Sequence, residues 1–244
     1  MRVRFYLVLP IFVMLPLTAV AQSQPASTVR TLLAAGRIGS VVDTPLSFRL
    51  LSVRLPAAQR VSYSGPNVMV YALSGGLSFD LDSTAQPVAE GAGAFVPVAR
   101  TATFSAPGPE PANFLLFVLS PAADAQKTLL GPPAIVEELY RSPEPLPGLQ
   151  AGPYEFSLTR VSLPPSMPAN PPHYRSGAVL YYVAGGSGMF IADGKTEPRA
   201  AGTPHFERGG WVHQWANPGA APLVLIQANI SQEGVPAVIA AGAK

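Results

Sequence analysis

Cysteine is missing altogether. That excludes disulfides, thiol nucleophiles, thiolate metal ligands and a lipidated N-terminal cysteine, so stability must come from a packed core. Charge is scarce as well, at 12% of 244 residues, and no run of one sign occurs. Without a basic stretch, nucleic acid is not an expected partner. No Gly-x-Ser-x-Gly elbow is present, the carboxylates are scattered rather than paired, and neither Gly75-Gly76 nor Gly185-Gly186 leads into a helix with P-loop spacing. Histidine is limited to His173, His205 and His213, so the first half offers none for a triad.

What the chain has in quantity is proline, at 28 residues, and apolar side chains, at 48%. Together they predict a body of short strands and stiff turns. Residues 1–21 read as a signal peptide. Arg2 and Arg4 precede the apolar run Phe5 to Ala21, and Ala19-Val20-Ala21 is a small-x-small cleavage signal before Gln22. Pro10 and Pro16 argue against a stable spanning helix, so no membrane insertion is expected after cleavage. The address is periplasmic or secreted. Without Arg2 and Arg4, sixteen basic residues become fourteen, equal to the fourteen acidic ones, and the mature chain is near neutral.

Residues 22–43 read as a flexible lead-in with a short helix near Val29 to Ala35. Strand patterns fill 44–121: Ser47 to Leu55, Asn67 to Ser74, Leu77 to Leu81, Gly91 to Pro97, Thr101 to Phe104 and Asn113 to Leu119. Residues 122–149 read as a linker, with helical character at Ala125 to Leu130 and Pro133 to Tyr140. The strand pattern then restarts over 150–232, and 233–244 reads as a C-terminal tail. Tyr154 to Leu163 matches Phe48 to Leu55, Gly185-Gly186 matches Gly75-Gly76, and Gly202 matches Gly91. The offset drifts only from about 108 to about 111, which predicts an internal duplication of one all-β unit. Two tandem barrels or jelly rolls follow from that.

The stretch Gly202 to Asn217 reads as strand, Gly-Gly turn, strand, with Trp211, His213 and Trp215 spaced by two. On a strand they would share one face. Here the sequence resembles the cupin superfamily. Its second motif (Gly, five residues, Pro, one residue, Gly, two residues, His, three residues, Asn) fits Gly202, Arg208, Gly210, His213 and Asn217, with Arg208 in place of the proline. Its first motif (His-x-His, a short spacer, Glu, six residues, Gly) keeps His173 and Gly186, while Arg175 replaces the second histidine and Val179 the glutamate. In the first unit Gly91 and Pro97 survive, but Ala102 stands at the histidine position. The resemblance implies an exported bicupin in which only the second barrel carries a partly degenerate metal motif.

That resemblance implies one divalent metal ion, held by His173, His213 and, as a third group, His205. Glu207 would share the face of His205 and could add an oxygen. Two imidazoles alone make a weak site. Arg175 is a permanent cation: pointing inward, it disfavours a metal and favours an anion such as a carboxylate or acidic sugar. Turned to the barrel mouth, it leaves the metal open. Arg175, Tyr181, Trp211 and Trp215 would line the pocket, although aromatics also serve as plain barrel packing. Each histidine has its own structural reading, as a core or loop side chain bonded to backbone. Three functions stay open. One is a small-molecule-binding cupin, and the second is a metal-dependent oxygenase or isomerase acting on an organic acid or sugar. The third is a filled barrel kept for assembly. A homo-oligomer also stays open.

Overall fold

The structure, a computed structural model, describes residues 27–39, 45–143 and 145–242. The expected signal peptide lies outside them. Among the described residues, no helix is long and apolar enough to cross a membrane.

The first half forms β1 (Val29–Ile38), β2 (Leu46–Leu55), β3 (Arg60–Ser64), β4 (Asn67–Ser74), β5 (Leu77–Leu81), β6 (Thr84–Val88), β7 (Gly93–Val96), β8 (Thr101–Ser105) and β9 (Ala112–Pro121). The second half forms β10 (Ile135–Arg141), β11 (Tyr154–Leu163), β12 (His173–Arg175), β13 (Ala178–Gly185), β14 (Ser187–Ala192), β15 (Lys195–Ala200), β16 (Pro204–Glu207), β17 (His213–Ala216), β18 (Leu223–Gln232) and β19 (Val238–Ala240). Sheets β10-β2-β9-β4-β7 and β3-β8-β5-β6 face each other in the first barrel. Sheets β1-β11-β18-β13-β16 and β15-β14-β17-β12-β19 face each other in the second.

Three expectations are corrected. The Val29 to Ala35 segment is not a helix. As β1 it joins the second barrel, pairing antiparallel with β11 from Val29↔Ser162 to Ile38↔Tyr154. The Pro133 to Tyr140 segment is not a helix either, because β10 pairs back onto β2 in the first barrel. Each barrel thus borrows its edge strand from the segment preceding the other barrel. Nor is Ala125 to Leu130 helical: the only helical turn between the barrels, among the described residues, is the 3-10 turn Ala122–Asp124. Finally, the C-terminal segment is more than a tail, since β19 pairs with β12 and holds Val238 opposite Arg175.

The alternation of β9 shows how the core divides. Phe114, Leu116 and Val118 point into the first barrel, while Leu115, Phe117 and Leu119 point toward the second. There they meet Tyr154, Phe156, Leu158, Leu180, Ile226, Ala228 and Ile230 in one cluster that welds the barrels. A strand buried on both faces reads as a continuous apolar run, as FLLFVL does. Each such Leu or Phe contributes roughly 1.5–3 kcal/mol relative to exposure.

Candidate functional site

The interior of the second barrel is polar. His173, Arg175, His205, Glu207, His213, Gln227 and Asn229 are all buried. β16 and β17 are not hairpin partners: β16 pairs with β13, and β17 pairs with β14 and β12. The turn joining them crosses from one sheet to the other. It packs tightly, since a Cβ on Gly209 would come 2.6 Å from the carbonyl oxygen of Gly177, and Gly210 N donates to Arg175 O at 2.9 Å. Glycine is required there because backbone meets backbone. That contact brings the strand carrying Glu207 beside the one carrying Arg175.

Glu207 is the hub. Its side chain is fully buried. Oε2 accepts from Arg175 Nε at 3.1 Å and from the Tyr181 hydroxyl at 2.8 Å, and Oε1 accepts from Trp215 Nε1 at 2.9 Å. His213 Nε2 also lies 3.1 Å from Oε2, although the approach is not aligned as a hydrogen bond. Burial acts to raise the Glu207 pKa. His213, Arg175 and Trp215 outweigh it and hold the carboxyl down at about 2. Arg175 in turn donates through Nη2 to the Tyr181 hydroxyl and, at 3.2 Å, to Gln227 Oε1.

The histidines occupy two places. His173 and His213 face each other across β12–β17, with ring centroids 4.5 Å apart. Each donates Nδ1–H to a backbone carbonyl, Pro171 O at 3.0 Å and Trp211 O at 2.8 Å. Burial lowers the His173 pKa. His205 lies apart, packed on Phe190 at 4.1 Å between centroids, and its Nδ1 accepts from Arg199 Nε at 3.2 Å. Burial pushes its pKa down to about 4. Trp215 points inward, whereas Trp211 precedes the strand and sits at the rim, its Nε1 donating to Asp193. The expected shared face of Trp211, His213 and Trp215 therefore holds for the last two alone.

A small cavity remains, with room for about 10 Å³ of water-sized centres. That is close to a single water. Thr28, Arg30, Asn170, His173, Arg175, Tyr181 and Gln227 supply its polar wall, and Val161, Leu163, Trp215 and Leu225 its apolar one. Asn170 and Gln227 escaped the sequence reading because neither lies in a histidine motif, and Arg30 because its segment read as a helix. The sequence places Glu207 as a group sharing the face of His205 that could add an oxygen ligand, not as the centre of the network. The signal for its inward placement is its position two residues from His205, which puts both side chains on one face of the strand.

Catalytic transition-metal sites usually keep three or more converging protein donors. Among the described residues no three His, Asp or Glu side chains converge to hold one. His173 and His213 make a pair, His205 is tied through Nδ1 to Arg199 while its Nε2 is buried with no hydrogen-bond partner among the described residues, and the carboxylate nearest to His213 is already bound by the Arg175 guanidinium. These side chains do not fit a metal centre.

No family model and no curated protein matches the sequence. Solved structures do. Oxalate decarboxylase from Bacillus subtilis, a protein with Mn(II) centres, aligns with 88% of this chain and 77% of its own at 14% identity, with a TM-score of 0.56. Salicylate 1,2-dioxygenase from Pseudaminobacter salicylatoxidans aligns over 76% and 71% at 11% identity, TM-score 0.52. AerE from Microcystis aeruginosa aligns over 82% and 99% at 16% identity, TM-score 0.54. The chain has the two-barrel cupin fold of these proteins. At such identities the likeness carries the fold, and the chemistry has to be read from this chain's own side chains.

Proposed function

We propose that the protein is an exported bicupin whose second barrel binds the carboxylate group of a small organic acid. The observation that carries this is the surplus of unused donors around the cavity. Arg175 spends Nε and Nη2 on Glu207, Tyr181 and Gln227, which leaves Nη1 without a hydrogen-bond partner among the described residues. The Nε2 amide of Gln227 and the Nδ2 amide of Asn170 are equally unspent, since Gln227 accepts through Oε1 and Asn170 accepts from Trp215 N through Oδ1. Arg30, exposed at the mouth, has no ion pair among the described residues. Two guanidinium groups share the cavity region with one carboxylate, so one positive charge stays uncompensated. Donor-rich walls with net positive charge recognise a carboxylate, and guanidinium does so best. The cavity itself has room for little more than a water, so the carboxylate would seat at its mouth beside Thr28 and Arg30, with the remainder of the acid toward solvent.

Titration calorimetry of the full chain with formate, acetate, oxalate and benzoate, against chloride, tests this. Saturable binding of at least one carboxylate is expected. Arg30→Ala should weaken it about 10- to 100-fold, the value of a charge-assisted hydrogen bond of about 1.5–3 kcal/mol. No saturable carboxylate binding, or binding unchanged by Arg30→Ala, overturns the assignment.

A further inference from the structure

The centre of the second barrel is built with inverted polarity, and we propose that Arg175 is the lock that keeps it free of metal. At a metal centre, lone pairs converge on a cation. Here a guanidinium N–H and a phenol O–H converge on one carboxylate oxygen, Oε2 of Glu207, which also lies 3.1 Å from His213 Nε2. The cation is a covalent part of the chain and cannot be deprotonated or exchanged. The carboxylate has an unexpected origin. Glu207 lies directly across the β13–β16 pair from Val179, the position where the cupin resemblance places a glutamate. The acid is thus supplied by the neighbouring strand, close to Arg175 and His213.

Removing the lock leaves a usable donor set. His173 and His213 both donate Nδ1–H to backbone, which turns each Nε2 away from those carbonyls and leaves it free to ligate. His213 Nε2 is already 3.1 Å from Glu207 Oε2. An imidazole at position 175, on the same short strand and two residues from His173, would add a third nitrogen on that face. Arg175→His therefore converts a self-neutralised ion pair into three nitrogens and a carboxylate, a set suited to a divalent first-row metal.

The test is Co(II) titration of the full chain, read by its visible ligand-field absorption and by metal content after desalting. Wild type is expected to take up no stoichiometric metal. Arg175→His is expected to take up one ion per chain, and Arg175→His with His213→Ala to lose it. Arg175→Gln, which keeps a side-chain amide near Glu207 without the charge, is the second arm should Arg175→His fail to fold. With the cation gone, its Co(II) affinity should exceed that of wild type at least tenfold. The proposal is overturned if wild type binds one metal ion that His213→Ala abolishes. It is also overturned if neither folded variant binds Co(II) better than wild type. No organic anion enters these titrations, so their failure is separate from failure of the carboxylate reading.

Discussion

The two barrels share one strand plan, yet they are filled with opposite chemistry. Register makes the comparison position by position. His173 faces His213 in the second barrel, where Tyr63 faces Ala102 in the first. Val179 faces Glu207, where Val68 faces Val96. On the same repeat, Gln227 answers to Leu116 and Trp215 to Phe104. Gly65 answers to Arg175, and the Tyr63 ring lies 3.0 Å from where a Gly65 Cβ would stand, with its hydroxyl donating to Pro66 O. A fold that closes well on valine, leucine and phenylalanine needs no buried ion pair for stability. Burying Arg and Glu costs several kcal/mol per ion before their attraction offsets it. Stability alone therefore does not account for the polar filling of the second barrel.

The sharpest way to break this contrast is to convert the second barrel toward the first. Glu207→Ala strands a buried Arg175 and should destabilise the protein by about 3–5 kcal/mol. Arg175→Met with Glu207→Val, which imports the apolar character of Val96, should be neutral or stabilising by about 1–4 kcal/mol. The double variant should also lose carboxylate binding. Urea unfolding checks the first pair of outcomes and calorimetry the last. A double variant as damaged as the single one would mean the ion pair holds the barrel together.

Much of this contrast was legible in the sequence. The duplication, the all-β class and most of the long strands follow from period-two alternation and paired glycines, and the histidines marked which copy carries the polar site. What failed did so for one physical reason. β1 and β10 have locally helical composition, Thr-Leu-Leu-Ala-Ala and Ile-Val-Glu-Glu-Leu-Tyr, but their partners lie far away in the chain: β1 pairs with β11, and β10 with β2. Long-range pairing overrides local propensity. Strand parity hid Glu207 in the same way, because one residue of register decides which face it presents.

A smaller effect is the response of the second barrel's interior to acid. His205 is held at about 4, below an unfolded value near 6.5. The unfolded chain then binds more protons, so stability is full above pH 6.5 and falls as pH drops toward 4. Glu207, at about 2 against roughly 4.3 unfolded, adds a second loss as pH falls below about 4.3. Ala94 and Val96 stand at these places in the first barrel and cannot titrate. Urea midpoints measured from pH 7 to 3 should therefore fall in two limbs, and His205→Gln should shrink the upper one, leaving the part that the buried His173 supplies. If the upper limb is unchanged in His205→Gln, the sensitivity belongs elsewhere.

The smallest expected effect compares the two exchanged strands. In the first barrel Arg49 pairs with Glu138 of β10 at 2.8 Å, with side-chain exposures of 8% and 29%. In the second, Arg37 of β1 pairs with Glu233 at 2.8 Å, with exposures of 70% and 48%. Solvent screens the exposed pair, so Arg37→Ala should cost no more than about 0.2–1 kcal/mol, and that cost should vanish near 1 M salt. Arg49→Met should cost more, about 1–3 kcal/mol, because Arg49 also donates to Lys127 O at 2.9 Å and removal leaves that acceptor unpaired. β1 is then held by its ladder with β11 and by packing rather than by charge. A cost for Arg37→Ala equal to that of Arg49→Met, and insensitive to salt, would show instead that an ionic clasp fixes the exchanged strand beside the cavity whose mouth Arg30 lines.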